Sequence, residues 1–174
     1  VNEFSDFARM PKPILKNNDL ISLIKENIKF LQKLDDTIHF ETKFGVEKLI
    51  FNSDKEQLSR VFLNLIKNAI ESIQQKSQNN SNFAKKITVE INKFDDNIAI
   101  SIIDNGIGFE LFTKNIKDIV NPYFTTKKNG TGLGLSIVNK IINDHNGKIE
   151  FIPINDGAKV QIYFDLNESR NINS

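Results

Sequence analysis

The longest regular pattern in the chain is a helical one, "SDKEQLSRVFLNLIKNAIESIQQKS", at residues 53–77. Its apolar side chains recur every three or four residues, which at about 100° per residue places them on one face roughly 180° wide. Ser53 and Glu56 have the spacing of a capping box, which predicts the start of the helix. So wide an apolar face must be covered by a second layer of structure. The face consists of Leu58, Val61, Phe62, Leu65, Ile66, Ala69, Ile70 and Ile73.

Two hairpins can supply that layer, because their segments alternate apolar and polar residues. The first joins "KKITVEINKF" to "NIAISIID" around Asp95 and Asp96, and the second joins "KIEFIPI" to "AKVQIYFDL" around Asn155, Asp156 and Gly157. "TIHFETKF" and "KLIFN" predict two further short strands. The sequence therefore predicts a mostly antiparallel sheet.

Two more segments have helical periodicity. "DLISLIKENIKFLQKL" (19–34) places Leu20, Ile21, Leu23, Ile24, Ile28 and Leu31 on one face, and a third helix follows a glycine run and extends to Asn146 and Gly147. Because strands and helices are segregated along the chain, we predict an α+β fold, a two-layer α/β sandwich with about three helices on one mixed, mostly antiparallel sheet.

Composition excludes several classes of function. The chain has 174 residues with 23 basic and 22 acidic side chains, so there is no overall field to attract nucleic acid or an anionic membrane. Cysteine is absent, which removes disulfides and thiolate metal sites. No apolar run reaches the ~18 to 20 residues of a membrane span. The first residue is Val1, which favours a piece of a longer protein.

Asn64 and Asn68 lie just outside one edge of the apolar face of the long helix. An amide oxygen is a neutral, hard ligand suited to Mg²⁺ that is already shared with phosphates. Two solvated amides on a polar face would give the same spacing, so the pattern alone leaves both interpretations open.

"IIDNGIGF" ends a strand in Asp104, Asn105 and Gly106, which is first of all a turn signal. An ionised carboxylate there would accept hydrogen bonds and donate none, so it would prefer an adenine amino group to a guanine carbonyl. Gly106 and Gly108 would let the backbone pass close to a flat ring. The spacing does not decide between turn and base pocket.

"KKNGTGLGLSIV" places Gly130, Gly132 and Gly134 before an apolar helical run. The segment lacks the Gly-Lys-Ser/Thr ending of a Walker loop and the glycine spacing of a dinucleotide fingerprint. Glycines ahead of a helix N-terminus let an anion approach unpaired N–H groups and the positive end of the dipole. A plain flexible loop is the alternative interpretation.

Taken in order, "NLIKNAIES", "DNGIGF", "PYFTTK" and "GTGLGLSIV" resemble the N, G1, F and G2 boxes of the histidine protein kinase catalytic domain. The resemblance covers about residues 18–167 and implies the Bergerat ATP-binding sandwich. "FSDFARMPKP" is similar to the end of the dimerisation helices in nitrogen-regulation-type sensor kinases.

The resemblance implies ATP and Mg²⁺ as cofactors. Asn64 and Asn68 are the implied catalytic pair, with Asn68 as the metal ligand and Asn64 facing the phosphates, while Asp104 would bind the adenine amino group. Pro122 to Gly130 would form a lid over the nucleotide, with Lys127 and Lys128 near the phosphates. The remaining implied ATP-binding residues are Lys67, Glu71, Gly106, Ile107, Gly108, Phe124, Thr126, Gly130, Thr131, Gly132, Leu133 and Gly134.

Two positions depart from relatives within the resemblance. Glutamate stands in the ATP-hydrolysing members where this chain has Asn64, and an amide cannot serve as a general base, so slow hydrolysis is expected. Many histidine kinases have Lys where this chain has Glu71, so we assign phosphate neutralisation to Lys67. Neither His39 nor His145 has the acidic neighbour and following proline of a phosphoacceptor, and we predict that both are structural.

The implied organisation is a remnant of the dimerisation and phosphoacceptor helix at residues 1–13, a catalytic domain at 14–167 and a tail at 168–174. The implied function is transfer of the ATP γ-phosphate to a histidine on the dimerisation domain, for relay to a response regulator. The full-length protein would be a homodimeric, membrane-anchored sensor with this domain in the cytoplasm. Two alternatives remain open: a serine kinase of the same fold acting on an anti-anti-sigma partner, and a nucleotide-gated binding module without turnover.

Overall fold

A computed structural model describes residues 10–109 and 134–167 of the chain. In chain order the elements are β1 (Lys16–Asp19), α1 (Leu20–Leu31), a 3-10 turn (Gln32–Leu34), β2 (His39–Lys43), β3 (Ile50–Ser53), α2 (Lys55–Asn79), β4 (Lys86–Phe94), β5 (Asn97–Asp104), α3 (Gly134–Asp144), β6 (Lys148–Ile154) and β7 (Gly157–Asp165).

The main sheet has five strands in the order β2-β4-β5-β7-β6. Only β2 and β4 pair in parallel, and the other neighbours are antiparallel. The apolar residues of the strands and of all three helices join in one core, in which Ile87, Ile100 and Ile162 come from adjacent strands. The mixed, mostly antiparallel sandwich predicted from the sequence is therefore confirmed.

The long helix α2 buries the apolar face predicted for it, from Leu58 to Ile73. The predicted capping box is wrong by one residue. Asp54, not Ser53, has extended backbone at the N-cap, and its Oδ1 accepts a hydrogen bond from the N–H of Gln57 at 3.1 Å. The Ser53 hydroxyl instead donates to the carbonyl of Phe51 at 3.1 Å, within β3. Ser53 is still a strand residue, so its side chain faces the core and cannot reach the helix start.

The strand β1 was not predicted. It forms a separate two-stranded antiparallel sheet with β3, in which Lys16 faces Ser53 and Asp19 faces Ile50. Asp19 then caps α1, since its Oδ1 accepts from the N–H of Ile21 at 3.1 Å. α1 itself ends at Leu31, where the predicted helix had continued as far as residue 34.

α3 ends at Asp144, two residues before the predicted end at Asn146 and Gly147, which form the turn that follows it. Asn146 has a φ of 60°, and the N–H of Gly147 donates to the carbonyl of Ile142 at 2.9 Å. Such a left-handed residue followed by a backward hydrogen bond satisfies the last carbonyls of a helix. Residues 1–9 of the predicted dimerisation remnant at 1–13, the predicted lid at 122–130 and the predicted tail at 168–174 lie outside the described residues.

Candidate functional site

One edge of α2 carries polar residues on three successive turns, Asn64, Asn68 and Ser72. All three are half-buried, beside the apolar face of the helix. The Asn64 amide donates to the carbonyl of Arg60 at 3.0 Å. Spaced four residues apart, the three positions span about 12 Å along the helix axis.

Gly134, the first residue of α3, lies beside the Asn64 end of this edge. A Cβ atom on Gly134 would be 3.6 Å from Asn64 Oδ1, which is ordinary contact distance. The fold thus brings Asn64 of the N segment and Gly134 of the G2 segment together. Lys67 is exposed and Glu71 is half-buried on the same helix.

Seven of the predicted ATP-binding residues lie outside the described residues, and nothing in the structure bears on them. They are Phe124, Thr126, Lys127, Gly130, Thr131, Gly132 and Leu133.

Asp104 lies at the other end of the polar edge, at the last position of β5, and is 7% exposed. Its Oδ1 accepts from the N–H of Gly106 at 2.8 Å, and the carboxyl also hydrogen-bonds the hydroxyl of Ser72. Burial raises the pKa of Asp104 to about 6, although these two hydrogen bonds and the charge of Lys76 act in the opposite direction. A carboxyl that is buried away from water at the end of a strand is typical of a ligand-binding site.

The turn that follows Asp104 packs directly on α2. The N–H of Ile107 donates to Ser72 Oγ at 3.0 Å. A Cβ atom on Gly106 would lie 2.6 Å from the carbonyl carbon of Ser72, too close for any side chain. Glycine at 106 is therefore explained by the contact with the helix, before any ligand is considered.

Gly108 and Gly157 bring the second hairpin against the same turn. Gly108 has a φ of 80°, in the left-handed region that favours glycine, and a Cβ atom there would lie 2.9 Å from the carbonyl oxygen of Gly157. A Cβ atom on Gly157 would collide with the carbonyl oxygen of Asp104 and lie 3.0 Å from the Cα of Asn105. The start of β7 thus forms part of the wall behind Asp104.

Asn105 and Lys76 hold the outer side of the turn. The Asn105 side chain accepts from the N–H of Lys86 at 3.0 Å and donates to the carbonyl of Ala84 at 2.6 Å, which fixes the entry to β4. Lys76 Nζ donates to the carbonyl of Asn105 at 3.0 Å and lies 4.6 Å from the ring centroid of Phe83. The segment "DNG" thus contains both the turn that its sequence predicts and a buried carboxyl, that of Asp104.

Sequence reasoning missed Ser72, Lys76 and Gly157. Ser72 and Lys76 follow Asn68 by four and eight residues, a spacing that places all three on the same face of the helix. This spacing could have predicted that they lie beside Asn68. No sequence pattern distinguished Gly157, because a glycine after Asn and Asp is expected in any hairpin turn.

The two histidines have different surroundings. His39 begins β2 and is exposed, whereas His145 is 5% exposed. The His145 Nδ1–H donates to the carbonyl of Ile141 at 2.8 Å, and Nε2 accepts from the N–H of Asp54 at 3.1 Å. These bonds require the neutral imidazole, and burial lowers its pKa. His145 therefore joins the end of α3 to the start of α2.

A mixed sandwich with a buried carboxyl, a glycine turn and a polar helix edge defines a class of ATP-binding domains. The family model of the histidine kinase-, DNA gyrase B-, and HSP90-like ATPases matches residues 53–168, and the chain belongs to this family. The family binds ATP.

Several relatives are sensor kinases. The chain is 36% identical to a putative NtrY-like sensor histidine kinase of Rickettsia conorii, over 97% of this chain and 27% of that protein. It is also 36% identical to the nitrogen regulation protein NtrY of Azorhizobium caulinodans, over 95% of this chain and 21% of that protein. The chain thus spans about a quarter of the length of these curated relatives.

Solved structures of histidine kinases have a similar fold. The catalytic domain of histidine kinase ThkA superposes with a TM-score of 0.73 at 28% identity, covering 88% of this chain and 96% of that one. ThkA in complex with the response regulator protein TrrA superposes with a TM-score of 0.74 at 24% identity, covering 94% of this chain and 45% of that one. Within residues 10–109 and 134–167, no helix has the length and apolar character needed to span a membrane.

Proposed function

We propose that the chain is the catalytic domain of a sensor histidine kinase and binds ATP along the polar edge of α2. The observation that carries this proposal is the placement of Asp104 near one end of that edge and Gly134 at the other. A nucleotide has a polar base at one end and a triphosphate at the other. The edge between Ser72 and Asn64, about 12 Å long, has the matching order of groups.

The base would be recognised by Asp104. Ionised, its carboxylate accepts hydrogen bonds, so an adenine amino group is favoured and the carbonyl oxygen of guanine is repelled. The site fits this base because the carboxyl is buried, so the charge acts in a medium of low dielectric constant. Gly106, Ile107 and Gly108 would shape the pocket wall, held in place by α2 and β7.

The phosphates would lie between Asn64 and the start of α3. The N–H groups of a helix N-terminus and its dipole stabilise an anion, and the contact between Asn64 and Gly134 brings this end to α2. Lys67 on α2 is the cation that we assign to the phosphates. The glycines and lysines that precede Gly134 complete this part of the proposal from the sequence.

Mg²⁺ would supply charge neutralisation at the phosphates, and the Asn68 amide oxygen is its proposed protein ligand. Asn68 lies one turn from Asn64 and one turn from Ser72, so it faces the middle of the nucleotide. Phosphoryl transfer then depends mainly on positioning. Asn64 cannot remove a proton from water, which keeps competing hydrolysis slow.

This metal assignment is tested by Asn68→Ala, with Asn64→Ala as the matched variant one turn away. Calorimetric titration with ATP, with and without Mg²⁺, should show that Asn68→Ala loses the Mg²⁺ dependence of binding while its urea midpoint stays near wild type. If Asn68→Ala unfolds and Asn64→Ala does not, the Asn68 amide is structural.

In the whole protein, the phosphate would pass to a histidine on a dimerisation domain and then to a response regulator. The relatives of this chain that are named sensor histidine kinases support this proposal. The segment "FSDFARMPKP", which resembles the end of a dimerisation helix, directly precedes the domain and supports it as well. We propose a homodimer with this domain in the cytoplasm below a membrane-anchored sensor.

The experiment that tests the proposed function is phosphotransfer to a separate dimerisation hairpin that carries an acceptor histidine. With radiolabelled ATP and Mg²⁺, the hairpin should acquire acid-labile label, slowly because the two parts are not tethered. Acid-stable label on serine or threonine of a partner would support the serine-kinase alternative. ATP binding without any transfer would support the nucleotide-gated binding module.

A further inference from the structure

Ser72 stands where helix α2 meets the turn that follows β5. Its Oγ accepts from the N–H of Ile107 at 3.0 Å, and its hydroxyl is bonded to the Asp104 carboxyl. Gly106 lies against the backbone of the same residue, since a Cβ atom there would be 2.8 Å from the N of Ile73. The strand end, the turn and the helix therefore meet at one hydroxyl group.

The directions of these hydrogen bonds follow from the donors available. An amide N–H can only donate, so Ser72 Oγ is the acceptor for Ile107. An ionised carboxylate can only accept, so the single hydroxyl proton of Ser72 must point to Asp104. The Gly106 N–H already donates to Oδ1 at 2.8 Å. Together these bonds restrict rotation of the carboxyl about its side-chain bonds.

Other neighbours of Asp104 do not perform this task. Its cross-strand partners on β4 and β7 are Ile87 and Ala158, which neither titrate nor donate from their side chains. Lys76 on α2 contributes its charge, but its Nζ bonds the carbonyl of Asn105. Among the described residues, Ser72 is the one whose side chain hydrogen-bonds this carboxyl.

We propose that Ser72 is a positioning residue for base recognition: its hydroxyl fixes the Asp104 carboxyl and the turn at 106–108 in a single arrangement, and so sets the preference for adenine over guanine. This inference rests on the proposed function, because Ser72 acts through Asp104. It makes Ser72 a determinant of specificity that need not touch the nucleotide.

The chemistry predicts two effects when the hydroxyl is removed. The carboxyl becomes free to rotate away from the amino group of the base, which weakens ATP binding. The hydrogen bond that favours the ionised form is also lost, so the carboxyl is protonated over a wider pH range. A protonated carboxyl offers an O–H donor that guanine can accept, so discrimination between the two bases should fall.

The test uses Ser72→Ala in the 174-residue chain, with Ser59→Ala as the matched control. Ser59 is on the same helix, about 20 Å away, and its hydroxyl also bonds a side chain, Asn27 Oδ1, at 3.0 Å. Calorimetric titrations with ATP and with GTP, in Mg²⁺ and between pH 5 and 8, give affinities, the ATP to GTP ratio and the pH midpoint of ATP binding.

For Ser72→Ala we expect ATP affinity to fall roughly 5- to 30-fold, the ATP to GTP ratio to fall with it, and the pH midpoint to move upward. Ser59→Ala should keep the wild-type ratio and midpoint even if it lowers the melting temperature. If Ser72→Ala does not fold, Ser72→Cys decides, since a thiol fills similar space but is a weak donor and acceptor.

The results separate this inference from the proposed function. Wild-type ratio and pH midpoint in Ser72→Ala, or in Ser72→Cys if only that variant folds, would overturn the positioning role while leaving ATP binding intact. A wild-type chain that binds ATP and GTP equally well, or neither, would overturn the assignment of Asp104 and this inference with it.

Discussion

At the scale of single residues, Asp104 combines a cost to folding with a proposed gain in binding. The carboxyl is buried against β4, β7 and α2, and burial is the largest cause of its raised pKa. A residue retained only for stability would not keep a charge in such surroundings. The proposed role of the carboxyl can therefore be tested by two quantities, the free energy of unfolding and the affinity for ATP.

Asp104→Asn should stabilise the nucleotide-free chain and weaken ATP binding. A pKa raised from 3.8 to about 6 corresponds to at most about 3 kcal/mol of unfavourable ionisation at neutral pH. An amide has no such penalty, but presents a donor as well as an acceptor to the base, so ATP affinity should fall roughly tenfold to a hundredfold. Urea unfolding and calorimetry measure the two effects. Lower stability with unchanged affinity would make Asp104 structural.

The same carboxyl predicts a pH dependence. Because its pKa is higher in the folded chain than the 3.8 of the unfolded chain, its contribution to stability is fully present below about pH 4 and is lost as pH rises through about 6. The stability difference between wild type and Asp104→Asn should thus be small at pH 4 and reach its full size above pH 6. ATP affinity of the wild type should rise over the upper part of this range, as the carboxylate forms. A flat difference between pH 4 and 7 would contradict the assignment.

At the scale of elements, the two helices that border the proposed phosphate site are joined at their far ends. His145 follows α3, and its Nε2 accepts from the N–H of Asp54, the N-cap residue of α2. The contact between Asn64 and Gly134 lies at the opposite end of α3. The position of α3 relative to α2 is therefore fixed at both ends.

His145→Ala should destabilise the chain by about 1–3 kcal/mol, because it leaves the half-buried N–H of Asp54 without its acceptor and opens a cavity. His39→Ala, which removes an exposed imidazole, should stay within about 0.5 kcal/mol of wild type. Burial lowers the pKa of His145, so its contribution is present above the unfolded value of 6.5 and is lost as pH falls through the folded pKa. Urea unfolding at several pH values tests this. Equal effects of the two substitutions would refute the link between α2 and α3.

The elements also show what the sequence could predict. The apolar face of α2 and both hairpins followed from periodicity, because each has one buried and one exposed side. β1 could not be predicted, since "KNND" has no apolar alternation and is held as a strand by its pairing with β3. The cap moved from Ser53 to Asp54 because both residues are good caps and only the backbone at the end of β3 decides between them.

In the candidate site, too, some residues could be predicted from the sequence and others could not. Asp104, Asn64 and Asn68 were predicted because their motifs have a recognisable order along the chain, and the fold places Asp104 beside one end of the helix edge that has Asn64 at its other end. Ser72 and Gly157 act through contacts between segments that are far apart in sequence, 72 with 107 and 157 with 104. Such contacts leave no local pattern, so only the three-dimensional arrangement reveals them.

At the scale of the whole molecule, the proposed enzyme has a donor site without an acceptor. His145 is buried and hydrogen-bonded through both ring nitrogens, and His39 is on an edge strand of the main sheet, outside the cluster of Asn64, Ser72 and Asp104. Neither has the flanking residues of a phosphoacceptor. The proposed transfer therefore requires an acceptor histidine that neither of these two side chains supplies.

Incubated alone with radiolabelled ATP and Mg²⁺, the chain should bind nucleotide but acquire no label. Filter binding measures the first property, and gel autoradiography after alkaline and acid treatment measures the second. His39→Ala serves as the control for chance labelling of an exposed imidazole. Stable label on the isolated chain that persists in acid would point to serine or threonine phosphorylation instead.

The contact of Gly157 with the strand end at Asp104 has a practical consequence for anyone who modifies this domain. Hairpin turns are usually good places to insert a tag or a reporter, because loop tips tolerate extra residues. The turn at Asn155 and Asp156 is exposed and would be chosen on that basis. Yet the next residue fits against the backbone of Asp104 and Asn105 with no room for a side chain. A fluorophore or peptide placed in this turn would therefore report on the proposed nucleotide site, and would disturb it, from a hairpin that lies outside all four recognised motifs.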